Sequence, residues 1–196
     1  MIEARHTLNR RDVVRHILRD RGDLPVVAGL GAPAYDLAAA GDHPLNFYLW
    51  GAMGSAAMMG LGLALARPEL RVLVVTGDGE MLMGLGALAT IGVKQPRNLS
   101  ILVLDNRRYG ETGMQASHTE WGIDLAGIAG ACRFASVRKI SVPSELDDSY
   151  SLLRQAAGPV FVQAVVGSEA VPRILPTRDG NEIRLRFAQA LAKITQ

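Results

Sequence analysis

Val72-Leu73-Val74-Val75-Thr76-Gly77-Asp78-Gly79-Glu80 and, after a helix-length interval, Leu99-Ser100-Ile101-Leu102-Val103-Leu104-Asp105-Asn106 decide the fold of this chain. Both stretches begin as apolar, β-branched-rich runs and both stop at a polar residue, the pattern of parallel strands buried on two faces. Asp78 and Asn106 therefore fall at two strand carboxyl ends, where open α/β sheets form their ligand crevice. Between them, Leu82, Leu85, Leu88, Ala89 and Ile91 recur at helical spacing, which predicts one helix over Met81 to Ile91 with its amino end at the crevice.

Gly77 and Gly79 flank Asp78, so the backbone can turn tightly and bring amides close to a ligand. Open amides and a helix dipole suit a phosphate. An Asp and an Asn at neighbouring strand ends supply the hard oxygens that magnesium takes alongside phosphate. An isolated Gly-Asp-Gly could equally be a strand-to-helix turn, Asp78 capping the helix and Asn106 making a turn. The second strand, ending in Asp-Asn with Asn106 placed 28 residues after Asp78, favours a magnesium-diphosphate site.

Working outward, the chain of 196 residues is 48% hydrophobic and 20% charged, which suits one α/β domain with a sizeable core. The formal charge of +2 comes with no basic block, so no nucleic-acid partner is expected. Cys132 is the sole cysteine, so it forms no internal disulfide and holds no iron-sulfur cluster by itself. Met1 to His6 is charged and lacks the apolar core of a signal peptide. No apolar run reaches the roughly 20 residues that span a bilayer. A cytoplasmic location is expected.

Asn9 is placed to cap a helix from Arg10 to Arg21, ended by Gly22. A short strand over Pro25 to Gly29 and a helix over Ala34 to Ala40 follow, and His43, before Pro44, reads as a surface loop histidine. Phe47 to Leu49 leads through Gly51-Ala52-Met53-Gly54 into a small-residue helix over Ser55 to Ala66, with Met58 and Met59 expected to fill core space. Met53 taken alone reads as a buried methionine at a helix start. Arg107 to Thr119 is too polar and glycine-rich for a regular element, and as a loop directly after Asn106 it is expected to lie over the ligand and carry substrate contacts. Further elements are expected as a helix over Ile123 to Ala131, a strand over Phe134 to Val137, a helix over Pro143 to Ala157, a strand over Pro159 to Val166 and a closing amphipathic helix over Glu182 to Ile194. The alternation gives a single doubly wound parallel sheet with helices on both faces.

Gly77-Asp78-Gly79 followed by Asp105-Asn106 resembles the signature of thiamine diphosphate-dependent decarboxylases, specifically their diphosphate-binding domain. Within that family the chain is most similar to the small β subunits of sulfopyruvate decarboxylase and to the carboxyl-terminal half of phosphonopyruvate decarboxylase. The likeness runs from about Arg11 to about Leu191 and is strongest in Phe47 to Gly54, Gly77 to Leu88 and Leu104 to Gly110, with Thr112 to Gln115 after it.

The resemblance implies that Asp78, the Asn106 side chain and the Arg108 carbonyl bind Mg2+. It further implies that Gly51, Ala52, Met53, Gly77, Asp78, Gly79, Glu80, Asn106, Tyr109 and Gly110 line the thiamine diphosphate site. In it, Met53 would be the apolar wedge beneath the bent cofactor. His118 is the candidate substrate ligand or proton donor. The family often has serine where Glu80 stands. A carboxylate beside a diphosphate is repulsive, so Glu80, favoured by the dipole in the first helical turn, is expected to point outward.

Cofactor activation in this family needs a glutamate from a pyrimidine-binding domain, and nothing here resembles one. The resemblance therefore implies an active site shared with a pyrimidine-domain α subunit, in an α2β2 assembly acting on a small 2-oxo acid. A carboligating lyase, an acetolactate synthase-type subunit and a non-catalytic cofactor-binding subunit are the alternatives. A nicotinamide-binding domain is disfavoured, since no Gly-x-Gly-x-x-Gly follows the first strand.

Overall fold

The computed structural model describes residues 8–194; the expectation for Met1 to His6 lies outside them. Elements follow in the order α1 (Arg10–Ile17), β1 (Val26–Ala28), α2 (Ala32–Ala39), β2 (Asn46–Tyr48), α3 (Ala56–Ala66), β3 (Val72–Gly77), α4 (Asp78–Met83) and α5 (Gly86–Lys94). The second half contributes β4 (Leu99–Asp105), β5 (Arg108–Tyr109), β6 (Gln115–Ala116), α6 (Leu125–Ala131), β7 (Ser136–Ile140), α7 (Leu146–Gln155), β8 (Val160–Val165) and α8 (Gly180–Lys193).

Six strands form one parallel sheet in the order β2-β1-β3-β4-β8-β7. Alternate strand residues feed two cores. Leu73, Val75, Leu102, Leu104 and Val162 meet Val13, Ile17, Leu37 and Leu153 of α1, α2 and α7. Val72, Val74, Ile101, Val103 and Phe161 meet Leu61, Leu88, Ile91 and Leu125 of α3, α5 and α6. Each such side chain contributes about 1.5–3 kcal/mol on burial, so the doubly wound arrangement follows from strands that are apolar on both faces.

No helix among the described residues is long and apolar enough to cross a membrane. Asn9 caps α1 through Arg11 N and Asp12 N, as expected, although the helix ends at Ile17.

Three expectations are corrected. The single helix over Met81 to Ile91 is two, broken after Met83, because the backbone of Gly84 packs directly on that of Gly54 and a side chain there would collide with the Gly54 carbonyl. Met58 and Met59 do not fill the core: α3 buries Ala56, Ala57, Gly60, Leu61 and Ala64 and turns both methionines to the exterior. Arg107 to Thr119 is not irregular, since β5 and β6 pair as an antiparallel ribbon and a 3-10 turn follows at His118–Trp121.

The connection from β8 to α8 has a topological consequence. β8 stands next to one side of the sheet, whereas α8 packs beside β2 at the opposite edge, where Phe187 meets Phe47 edge-to-face with centroids 5.3 Å apart. Residues 167–179 therefore cross the carboxyl ends of the central strands as an extended strap.

Candidate functional site

β3 and β4 run in register, Gly77 opposite Leu104, so Asp78 and the Asp105-Asn106 pair emerge side by side at the carboxyl edge. They open on a cavity of about 320 Å³. Met53, Gly77, Asp78, Gly79, Glu80, Asn106, Arg108, Tyr109 and Gly110 of the expected residues line it. Gly51, Ala52 and His118 do not. Gly51 and Ala52 sit just before Met53 in the turn into α3. His118 is exposed, with its Nδ1 3.4 Å from the Tyr109 hydroxyl. Leu30, Pro33 and Tyr35 around the start of α2, Arg10 of α1, Glu111, Thr112 and Met114 between β5 and β6, and Ser168 to Val171 with Arg173 of the strap also line it.

Asp78 is buried in the first turn of α4, a helix with no side-chain cap. Its Oδ2 accepts a hydrogen bond from the Ser117 hydroxyl, and the Thr119 hydroxyl lies 3.4 Å away. Burial pushes its carboxyl up to about 6, the Ser117 bond opposing and the nearby Asp105 charge adding to the rise. A carboxylate shielded from water and met by no cation among the described residues is a group that a metal ion would stabilise. Asp105 plays a different part: it is buried and accepts from Thr119 Oγ1 at 2.7 Å, from Gln163 Nε2 at 2.6 Å and from Arg107 N at 3.0 Å. Gln163 in turn accepts from Ala126 N at 2.9 Å. These bonds tie the ribbon segment down beside Asp78. Ser117 and Thr119 face inward and the intervening His118 outward, a strand-like alternation present in the sequence but not used there.

Asn106 Oδ1 accepts from Arg108 N at 3.0 Å, turning the chain so that Arg108 follows it around the crevice. An amide oxygen has a second lone pair, so this bond leaves room for a metal. Gly79 is required by contact: a Cβ there would lie 2.6 Å from the Tyr109 ring. One carboxylate, one amide oxygen and a carbonyl form the oxygen donor set that magnesium accepts when phosphate oxygens supply the rest, so the residues fit the group that the sequence implied.

Glu80 is corrected: it does not point outward. Its carboxylate turns back into the protein, taking Leu30 N at 2.8 Å and Ala56 N at 3.3 Å, and a side chain at Gly29 would run into it. Burial pushes its carboxyl up, against the amide bonds that favour the charge. The repulsion expected between Glu80 and a diphosphate is met by backbone amides that hold the carboxylate against β1 and α3.

The strap is latched on both sides of the crevice. Arg173 lies 3.4 Å from Glu111 at the ribbon tip and over the Tyr35 ring, and Trp50 Nε1 donates to the Thr177 carbonyl at 2.9 Å. Sequence reasoning missed this segment, which lacks periodicity and carries no motif.

A doubly wound sheet with a buried aspartate and an asparagine at adjacent strand ends, beneath a glycine-lined cavity, is the layout of a diphosphate-binding domain. The sequence matches the family "Thiamine pyrophosphate enzyme, C-terminal TPP binding domain" over residues 30–164. It is 37% identical over 191 residues to the sulfopyruvate decarboxylase subunit beta of Methanothermobacter thermautotrophicus, covering 96% of this chain and 98% of that one. It is 36% identical over 170 residues to the phosphonopyruvate decarboxylase of Streptomyces viridochromogenes, covering 84% of this chain and 41% of that protein. The fold matches the benzoylformate decarboxylase of Polynucleobacter necessarius with a TM-score of 0.68 at 16% identity, over 84% of this chain and 34% of that one.

The chain belongs to the thiamine pyrophosphate enzyme family and, within it, to the thiamine diphosphate-dependent decarboxylases that include the sulfopyruvate decarboxylase β subunits. The resemblance carried by Gly77-Asp78-Gly79 and Asp105-Asn106 is borne out.

Proposed function

We propose that this chain is the cofactor-binding β subunit of a thiamine diphosphate- and Mg2+-dependent decarboxylase of acidic 2-oxo acids, of the sulfopyruvate or phosphonopyruvate type. In this reading it works in the cytoplasm, with its active site completed by a pyrimidine-domain α subunit in an α2β2 assembly. The observation that carries it is the pairing of buried Asp78 with Asn106 at neighbouring strand ends, facing a cavity walled by Met53.

Asp78 and Asn106 would hold the metal with the Arg108 carbonyl, and the uncapped first turn of α4 would offer its amides to the diphosphate. Bound thiamine diphosphate supplies an electron sink for the departure of carbon dioxide. The protein residues position and shelter that chemistry. Met53 would support the cofactor from the α3 side, and the strap with the ribbon tip would exclude water from one flank. His118, hydrogen-bonded to Tyr109 at the cavity wall, would be oriented through that phenol toward a substrate held between the two subunits.

The test is reconstitution. The chain is combined with a candidate pyrimidine-domain partner chain, thiamine diphosphate and magnesium, and offered sulfopyruvate, phosphonopyruvate and pyruvate. Carbon dioxide release faster for an acidic substrate than for pyruvate is expected. Cofactor binding without turnover of any 2-oxo acid would overturn the reading in favour of a non-catalytic subunit.

A further inference from the structure

The crevice wall carries a cation that the two strand ends do not explain. Arg10, the first residue of α1, lines the cavity, yet its side chain is only 13% exposed. Its Nε lies 2.8 Å from Oδ2 of Asp36 on α2, whose side chain is wholly buried. Arg11 meets the other oxygen of the same carboxylate, Nε to Oδ1 at 3.2 Å, and also bonds the Pro172 carbonyl of the strap.

One buried carboxylate thus faces two guanidinium groups. Among the described residues, Arg11 alone is enough to neutralise Asp36, which leaves Arg10 as a surplus positive charge at the cavity. The Arg10–Asp36 contact also lacks hydrogen-bond geometry at both atoms, Nε and Oδ2. It acts as an electrostatic tether that fixes the base of the guanidinium and leaves the fork uncommitted. Among the described residues, the terminal nitrogens of Arg10 make no hydrogen bond or ion pair to the protein.

Two acidic groups of the same wall are engaged elsewhere. Glu111 pairs with Arg173 and Tyr35, and Glu80 is held by the Leu30 and Ala56 amides. Glu169 is exposed on the strap and forms no ion pair with Arg10 among the described residues. A half-buried guanidinium with a free fork is suited to planar, bidentate recognition of an oxyanion.

We propose that Arg10 is an anion-binding residue of this crevice, positioned by Asp36, and that it takes a phosphate-like or sulfonate-like oxyanion. Two sources share that chemistry: the diphosphate of the cofactor and the remote acid group of an acidic 2-oxo acid. The inference rests on the cofactor reading above and assigns within it a contact that neither the Gly-Asp-Gly nor the Asp-Asn motif includes.

The test compares wild type with Arg10→Lys, Arg10→Gln and the double variant Arg10→Gln, Asp36→Asn, which removes the orphaned buried carboxylate along with the cation. Calorimetry of the full chain with inorganic pyrophosphate and magnesium forms one arm. KM for sulfopyruvate and for pyruvate in the reconstituted complex forms the other. Circular dichroism and melting temperature check the fold of each variant.

A loss of pyrophosphate affinity of about tenfold or more in both Gln variants, partly restored by Arg10→Lys, assigns Arg10 to the diphosphate. Unchanged pyrophosphate binding with a comparable rise in KM for sulfopyruvate, and none for pyruvate, assigns it to the substrate acid. Folded variants equal to wild type in both arms would overturn the proposal. So would failure of the double variant to fold, which would make the arginine a structural residue. A wild-type chain that binds neither pyrophosphate nor thiamine diphosphate would instead overturn the functional reading, an outcome that needs no variant.

Discussion

Glu80, in the first turn of α4, accepts a hydrogen bond at 2.8 Å from the backbone amide of Leu30, 50 residues earlier in the chain. With its other oxygen on Ala56 N, this carboxylate joins the ends of β1 and β3 to the start of α3, the three segments that frame the crevice. Glu80→Ala leaves two buried amides without an acceptor and is expected to cost roughly 2–4 kcal/mol of stability. Chemical denaturation of the variant measures it.

The same residue sets a pH dependence. Burial raises the folded-state pKa of Glu80 above its unfolded value, so the folded protein binds this proton more tightly than the unfolded chain. The associated stability is fully present below the unfolded pKa and is lost as pH rises through the folded pKa. Glu80→Gln cannot lose it. The stability of Glu80→Gln relative to wild type should therefore improve across the pH range that runs from the ordinary glutamate pKa upward through the raised folded-state one. A difference constant over that range would show that the carboxylate is not perturbed by folding.

The proposed metal ligands make the second prediction. Asp78→Ala removes the one charged oxygen of the proposed donor set, and magnesium-dependent binding of thiamine diphosphate should fall by about 100-fold or more. The fold should survive, since Ser117 and Thr119 keep their bond to each other and Thr119 keeps its bond to Asp105. Asn106→Ala should weaken binding in the same direction by less, because it removes a neutral ligand. Calorimetry in the presence of the partner chain is the measurement, and unchanged affinity in Asp78→Ala would refute the site.

These expectations divide by what a sequence can carry. The strands β3 and β4 were legible because a strand buried on two faces is apolar at every position until its polar end, and Asp78 and Asn106 are those ends. The direction of Glu80 was not legible. A lone first-turn glutamate is best placed in solvent, and only the arrival of Leu30 and Ala56 amides makes burial the better choice. The break at Gly84 depends in the same way on the backbone of Gly54, which no periodicity within α4 and α5 reveals. Ser117, Thr119 and Gln163 escaped notice because each matters through a bond to Asp78 or Asp105, far away in the chain. Met58 and Met59 were assigned by residue type. In a helix that packs on the sheet through alanine and glycine, the larger side chains are left on the outside.

Met53 is the third test. It stands at the cavity wall, between β2 and α3, and is partly exposed, so it is not a core residue whose loss would collapse packing. If it supports the bent cofactor, Met53→Ala relaxes the geometry between the rings while the diphosphate anchor stays intact. Turnover should then fall about tenfold with a change in cofactor affinity below about threefold. Parallel losses of melting temperature and activity, with no effect specific to catalysis, would make it a packing residue.

The last prediction is that the chain alone does not decarboxylate. Two of the crevice glutamates are committed elsewhere, Glu80 to amides and Glu111 to Arg173 and Tyr35, and the third, Glu169, is exposed on the strap. The cavity is also open, so water would reach a substrate reacting there. Large apolar side chains stand on the surface as well, Met83 at 67%, Val93 at 78% and Trp121 at 81% exposure, together with Met58 and Leu65 on α3. Apolar groups in such numbers are what a subunit surface supplies to its partner, and without that partner the purified chain should self-associate in a concentration-dependent way, visible by sedimentation. Saturated with thiamine diphosphate and magnesium and offered sulfopyruvate, phosphonopyruvate and pyruvate, it should release carbon dioxide at a rate far below the roughly 1 per second of an ordinary enzyme. A rate at or above that value from the isolated chain would mean that every catalytic group lies within its 196 residues, and the shared active site would have to be abandoned.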